Sequence, residues 1–149
     1  MNISQKCQYA LRAIYELSLR HRQGPTIIAE IAEAQAIPPK FLELILGELR
    51  QGGFVESRRG KRGGYLLSLP PERITVGQII RFIEGPIAPV KCVAGDQSSD
   101  CPLRGRCAFL DLWERAEHAV AEVYDSTTLQ DLIDQGAAAP EAYVSSYCI

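Results

Sequence analysis

The stretch that most restricts the fold is residues 26–69, "TIIAEIAEAQAIPPKFLELILGELRQGGFVESRRGKRGGYLLSL". Two segments with helical apolar spacing are parted by a very short break. Thr26 is placed to cap the first, "IIAEIAEAQ", with Ile27, Ile28, Ile31 and Ala32 on one face. "AIPP" interrupts it. The next segment, "KFLELILGELRQ", spaces Phe41, Leu42, Leu44, Ile45 and Leu49 as the apolar set of another helix. Pro39 suits a first helical turn and Gly52-Gly53 an exit. Helix, tight break, helix is the spacing of a helix-turn-helix. Phe54 and Val55 then open one arm of a hairpin, and Tyr65, Leu66, Leu67 and Leu69 form the other. The turn between them holds Arg58, Arg59, Lys61 and Arg62 among three glycines. A cationic hairpin directly behind a helix-turn-helix predicts a winged helix: a mainly α domain with a small β wing.

The rest of the chain fits around that unit. Ser4 can cap a helix running to about Arg20, with Tyr9, Ala10, Ala13, Ile14 and Leu17 at helical spacing. A short helix capped near Thr75 follows the wing. A polar loop comes next, then a long amphipathic helix over 109–124 and a shorter one to 133. The expected organisation is a winged helix-turn-helix domain over 1–85, a cysteine-bearing loop over 86–108, a dimerisation segment over 109–133, and a tail over 134–149. Along the long helix Phe109, Leu112, Trp113, Ala116, Val120 and Val123 recur three and four residues apart. The first helices and the wing already close a small domain, so this stripe needs another surface. A second copy of the chain supplies one. Two-fold pairing would also set two reading helices on successive major grooves of a palindromic site.

Charge points the same way. Residues 1–75 hold 11 Lys/Arg against 7 Asp/Glu, whereas residues 76–149 hold 5 against 11. A basic half joined to an acidic half suggests that one end meets a polyanion. Duplex DNA is the expected partner. The helix over 39–51 would read the major groove, with Lys40 and Glu43 facing base edges and Thr26 and Gln35 near phosphates. Pro38 and Arg50 bound that helix, and Arg58, Arg59, Lys61 and Arg62 carry the wing to the minor groove. No phosphate loop and no Ser/His/Asp set is present, and His21 and His118 are the only histidines. An enzyme is not expected. No run of about 18 apolar residues or secretory leader is found, so a cytoplasmic protein without a membrane span is expected.

Three of the five cysteines, Cys92, Cys101 and Cys107, sit in the polar run "KCVAGDQSSDCPLRGRC". Reduced thiols clustered in a cytoplasmic protein read as metal ligands or reactive groups before disulfides. The spacing C-x8-C-x5-C lacks the close pairs typical of structural zinc. Iron–sulfur clusters are held mainly by thiolates at more varied spacing. Metal–thiolate bonds would offset the entropy of ordering so polar a loop.

Taken together, "YALRAIYEL" (9–17), residues 37–85, the three loop cysteines and "TTLQDLI" (127–133) resemble the Rrf-two family of bacterial winged-helix regulators. The resemblance implies a homodimeric, DNA-binding transcription regulator. It implies that Cys92, Cys101 and Cys107 hold an iron–sulfur cluster, of [2Fe–2S] or [4Fe–4S] type, that senses iron, redox state or nitric oxide. It further implies that Arg59 enters the minor groove and that residues 38–50 read bases. The fourth ligand departs from the family. One branch uses a His three residues after the third cysteine, where this chain has Leu110. Another uses an Asp just before the "YALR" tyrosine, where this chain has Gln8. Cys7 is the foremost single-residue candidate in their place, with His118, Asp96, Asp100 and Cys148 as others; a three-cysteine site, or one whose fourth position a small molecule fills, fits equally well. The alternative is a cluster-free regulator controlled by thiol oxidation or by docking a sulfur-metabolism enzyme.

Overall fold

Ser4 starts the first helix by accepting a hydrogen bond from the Cys7 amide at 3.2 Å. The computed structural model describes residues 2–95 and 101–138. Helix α1 (Gln5–Leu19) buries Ala10, Ala13, Ile14 and Leu17, the expected stripe. Helix α2 (Ile28–Gln35) and helix α3 (Pro39–Gln51) follow. Between them Ala36 adopts a left-handed conformation (φ 49°), which lets the chain reverse in so few residues. That costs a non-glycine residue about 1 kcal/mol. The Ile37 amide closes the turn on the Ala32 carbonyl at 3.0 Å. Fully burying each large aliphatic side chain contributes roughly 1.5–3 kcal/mol. The shared core of Ile14, Leu17, Ile31, Leu42, Leu46 and Leu49 therefore outweighs the strained turn.

One sequence expectation needs correction here. Thr26 does not cap α2: Ile27 occupies that position without a side-chain cap. Thr26 is instead 3% exposed, and its backbone exchanges two 2.8 Å hydrogen bonds with Tyr65 across the base of the wing. The apolar residues of α3 divide between the core and the surface. Leu42, Ile45, Leu46 and Leu49 are buried, but Phe41 and Leu44 are 60% and 68% exposed.

The wing is the antiparallel pair β1 (Val55–Arg58) and β2 (Gly64–Leu67), in register Val55 with Leu67 and Arg58 with Gly64. Val55 and Leu67 anchor its base in the core. Gly64 is demanded by the bridge to Thr26: its φ is 146°, and a Cβ there would lie 2.5 Å from the Thr26 carbonyl oxygen. Gly64→Ala should lower the unfolding free energy by about 3 kcal/mol, read as a drop in urea midpoint. An unchanged midpoint would show that the bridge does not hold the wing.

A single 3-10 turn, Pro71–Arg73, leads to helix α4 (Val76–Glu84). Thr75 and Gln78 form its capping box. Helix α5 (Leu110–Ser126) and helix α6 (Leu129–Ala138) complete the described chain. Thr128 caps α6 through the Asp131 amide, and the Asp131 carboxylate accepts from the Thr128 amide in return. The Thr128 hydroxyl, and then its amide, donate to the Asp131 carboxylate and hold that carboxyl below its usual range. Leu129 is fully buried in the same core as Ile14 and Ile74, so α6 packs back onto the winged-helix half. It also runs past residue 133. No helix among the described residues is long and apolar enough to cross a membrane.

Candidate nucleic-acid interface and cysteine cavity

The outward side of α3 and the wing carry the expected DNA residues, with two exceptions. Pro38, Lys40, Glu43 and Arg50 are exposed. Arg50 donates to the Ser57 hydroxyl at 3.2 Å, tying the exit of α3 to β1. Arg58, Arg59, Lys61 and Arg62 are all exposed on the wing. Arg58 shares a loose 3.7 Å ion pair with Glu56, while no carboxylate among the described residues pairs with the other three. The exceptions are Thr26, buried as described, and Gln35. The Gln35 amide donates to Glu16 at 2.8 Å, and Glu16 also accepts from Arg20 at 2.7 Å. Arg20 in turn reaches Glu30 at 3.0 Å. Gln35 thus braces α2 against α1 through a nearly buried carboxylate.

The chain between α4 and α5 brings the three loop thiols to one place. Cys92, Cys101 and Cys107 line a cavity of about 200 Å³ together with Arg104, Leu110 and Glu114. All three are free cysteines, and Cys92 and Cys101 are exposed. Glu114 was not anticipated from the sequence. It stands one helical turn beyond Leu110 on α5, and that spacing was the only signal for it. Among the described residues, no three His, Cys, Asp or Glu side chains converge on a point that suits a single metal ion.

The foremost candidate for the fourth ligand lies elsewhere. Cys7 is fully buried on α1 with Ile80 and Ile87. Burial, and then the nearby Glu84 carboxylate, push its thiol up to about 11. A thiol held protonated in an apolar pocket is a poor metal ligand, because the thiolate is the species that binds. The raised value also fixes a pH effect. The unfolded chain would release the Cys7 proton near its ordinary 9.0, while the folded chain holds it to about 11. Stability from this group is therefore complete below about pH 9 and lost as pH rises toward 11. Cys7→Ala should flatten the alkaline fall in stability between those limits, measured by urea unfolding against wild type. Equal slopes for the two proteins would show that Cys7 does not titrate in that way. His118 is exposed on α5 and shares a groove of about 900 Å³ with Cys92 and Glu114, but it does not line the three-thiol cavity. Asp96, Asp100 and Cys148 lie outside the described residues.

The joint between this cavity and the DNA-binding half is specific. Arg81 on α4 holds Asp125 on α5 through two hydrogen bonds, one of them 2.8 Å, and so keeps that carboxyl below its usual range. Gly77 leaves the room: a Cβ there would collide with the Asp125 carboxylate. The Val76 amide donates to the Thr127 carbonyl and the Leu129 amide to the Ile74 carbonyl, both at 2.9 Å. At the far end of α4, the Phe82 ring covers Gly52 where α3 ends and meets Phe54 at 5.4 Å between centroids.

Comparison with known proteins agrees with this geometry. The Rrf2 family, described as iron-dependent transcriptional regulator, matches residues 3–135. The HTH-type transcriptional regulator CymR of Bacillus subtilis is 40% identical over 144 residues, covering 97% of this chain and 98% of that protein. The structure of B. subtilis CymR, called the global cysteine regulator, superposes with a TM-score of 0.75 at 41% identity, over 91% of this chain and 98% of CymR. IscR of T. potens superposes with a TM-score of 0.73 at 31% identity, over 96% of this chain and 95% of IscR. These relatives are regulators rather than enzymes, and the winged-helix architecture is common to them. The chain belongs to the Rrf2 family of DNA-binding transcriptional regulators.

Proposed function

We propose that this regulator works as a homodimer on a palindromic operator and senses its signal through an iron–sulfur cluster held by Cys92, Cys101 and Cys107. The observation that carries the reading is the meeting of all three loop thiols around one cavity at the start of α5. The donor set fits, since thiolates are the usual protein ligands of such clusters. Glu114 offers an oxygen donor beside them, whereas Cys7 is sealed in the core. When bound, the cluster supplies redox and ligand-exchange chemistry.

The chain's own residues supply the rest. Cys107 lies just before α5, so a change in what the thiols hold bears on the start of that helix. Helix α5 is gripped by Arg81 through Asp125, and Phe82 on the same α4 rests on the junction of reading helix and wing. A shift of α5 therefore has a packed route to the DNA-contacting elements. Dimerisation is supported by the apolar residues that α5 leaves outward. Phe109, Leu112 and Val123 are exposed, Trp113, Ala116 and Val120 are half-buried, and only Ala121 of that helix is buried in the chain. Rival control by thiol oxidation alone, or by a docked enzyme of sulfur metabolism, has no comparable support in the geometry.

The test is iron, sulfide and visible absorbance of protein purified without oxygen. Iron and acid-labile sulfide in comparable amounts, with a coloured protein, are expected. Protein containing neither after anaerobic purification and reconstitution would overturn the cluster.

A further inference from the structure

Helix α3 carries an anomaly that packing within the chain does not explain. Two large apolar side chains, Phe41 and Leu44, stand on its outward side at 60% and 68% exposure. They are one turn apart, flanked by Lys40 and Glu43. Isolated exposed hydrophobes are ordinary, but a pair on the groove-facing side of a reading helix is placed where it can act. Gly47 is the second observation. It lies one turn beyond Leu44, in the interior of α3, where glycine disfavours a helix relative to alanine. Nothing lies within 4 Å of where its Cβ would be. The fold has room for a side chain at 47 and would gain from one, so the bare position suits something outside the chain.

We propose that Phe41 and Leu44 read thymine in the major groove through its C5-methyl group, and that Gly47 keeps the helix narrow enough for them to reach it. The inference rests on α3 being the helix that enters the groove. Continuity supports DNA as the occupant: the same helix presents Lys40 and Arg50, and the exposed cations of the wing follow it directly. The thymine methyl is the only apolar group on the major-groove edges of the four base pairs. Apolar side chains gain little from the other base edges, which present hydrogen-bonding groups. Lys40 and Glu43, beside the apolar pair on the same helix, would then supply polar contacts.

The test begins with selection of the preferred duplex from a randomised library by the full-length wild-type chain. Each thymine of the selected site is then replaced singly by deoxyuridine, which removes the methyl group alone. At one or more positions in each half-site, wild type should lose about fourfold in affinity, the value of one buried methyl group. Leu44→Ala or Phe41→Ala should bind the unmodified site more weakly and lose nothing further on deoxyuridine replacement. Their affinity for unrelated duplex and its salt dependence should match wild type. Gly47→Ala should raise the thermal midpoint and weaken binding to the selected site, opposite signs that a purely structural role would not give. Wild-type binding that is indifferent to every deoxyuridine replacement would overturn the proposal. So would variants that remain as sensitive to it as wild type, or whose sole defect is in self-association. Failure of the library to enrich any sequence is a different result: it would remove sequence-specific DNA binding itself.

Discussion

Cys92→Ser, Cys101→Ser and Cys107→Ser should each strip the protein of iron and acid-labile sulfide by at least about tenfold, with loss of visible absorbance, when purified and reconstituted without oxygen. The effect is large because each substitution replaces a soft thiolate with a hydroxyl that binds iron poorly at neutral pH. Among the described residues, Glu114 is the one carboxylate on the cavity wall beside the three thiols, and Leu110 contributes nothing to a metal. Glu114→Ala should weaken iron retention less and alter the absorbance spectrum, as expected when an oxygen donor rather than a sulfur donor is removed. Cys7→Ala is the discriminating control. Its thiol is buried among Ile80 and Ile87 and held neutral, so iron content should match wild type. Iron lost from Cys7→Ala but retained in Cys101→Ser would move the site to α1 and reverse the assignment.

The contrast between Cys7 and Glu114 marks how far sequence reading reaches. Cys7 was attractive because a thiolate is the better ligand and because it neighbours Gln8, a position at which part of the family places a ligand. Chemistry of residue type made that argument; the structure places Cys7 in the core, and that burial depends on how α1 meets α4 and the Ile87 segment. Glu114 had no distinguishing mark in one dimension. It became visible once the loop folded its thiols against the first turns of α5.

Helices and wing were legible for a simpler reason. Ser4 and Thr75 act within a few residues of themselves, so these caps can be read locally. Thr26 shows the limit. It has the right residue type at the right place to cap α2, yet a long-range partner, Tyr65, claims its backbone and draws it inward. Phe41 and Leu44 show a second limit. Apolar spacing along α3 reports which residues are hydrophobic, and the rotation of the helix on its core then chooses Leu42, Ile45, Leu46 and Leu49 for burial. The residues left outside are informative because nothing within the described chain covers them.

Arg59→Ala should weaken operator binding by roughly 1–3 kcal/mol per copy, or about five- to 150-fold for each wing. Arg59 is at the hairpin tip, exposed, and free of any carboxylate among the described residues, so its charge is available to the duplex. Arg58 is a weaker candidate for the same role because Glu56 lies 3.7 Å away. The glycines of the turn, Gly60 and Gly63, let the tip approach closely, and their backbone is closed by a 2.9 Å hydrogen bond. Two substitutions separate charge from shape. If Arg59 acts mainly on phosphates, Arg59→Ala should reduce the slope of log affinity against log salt by about one per wing, and Arg59→Lys should restore it. If it sits in a narrow minor groove, Arg59→Lys should keep the salt slope but recover little affinity, because the planar guanidinium is less strongly hydrated than an ammonium and is lost in the exchange. Titration of the selected duplex at several salt concentrations distinguishes the two, and Arg59→Ala with unchanged affinity would exclude the wing from recognition. Thymine readout by α3 makes a separable demand on the same titrations: Arg59→Ala should leave the deoxyuridine penalty intact if, as proposed, the wing and the reading helix enter different grooves.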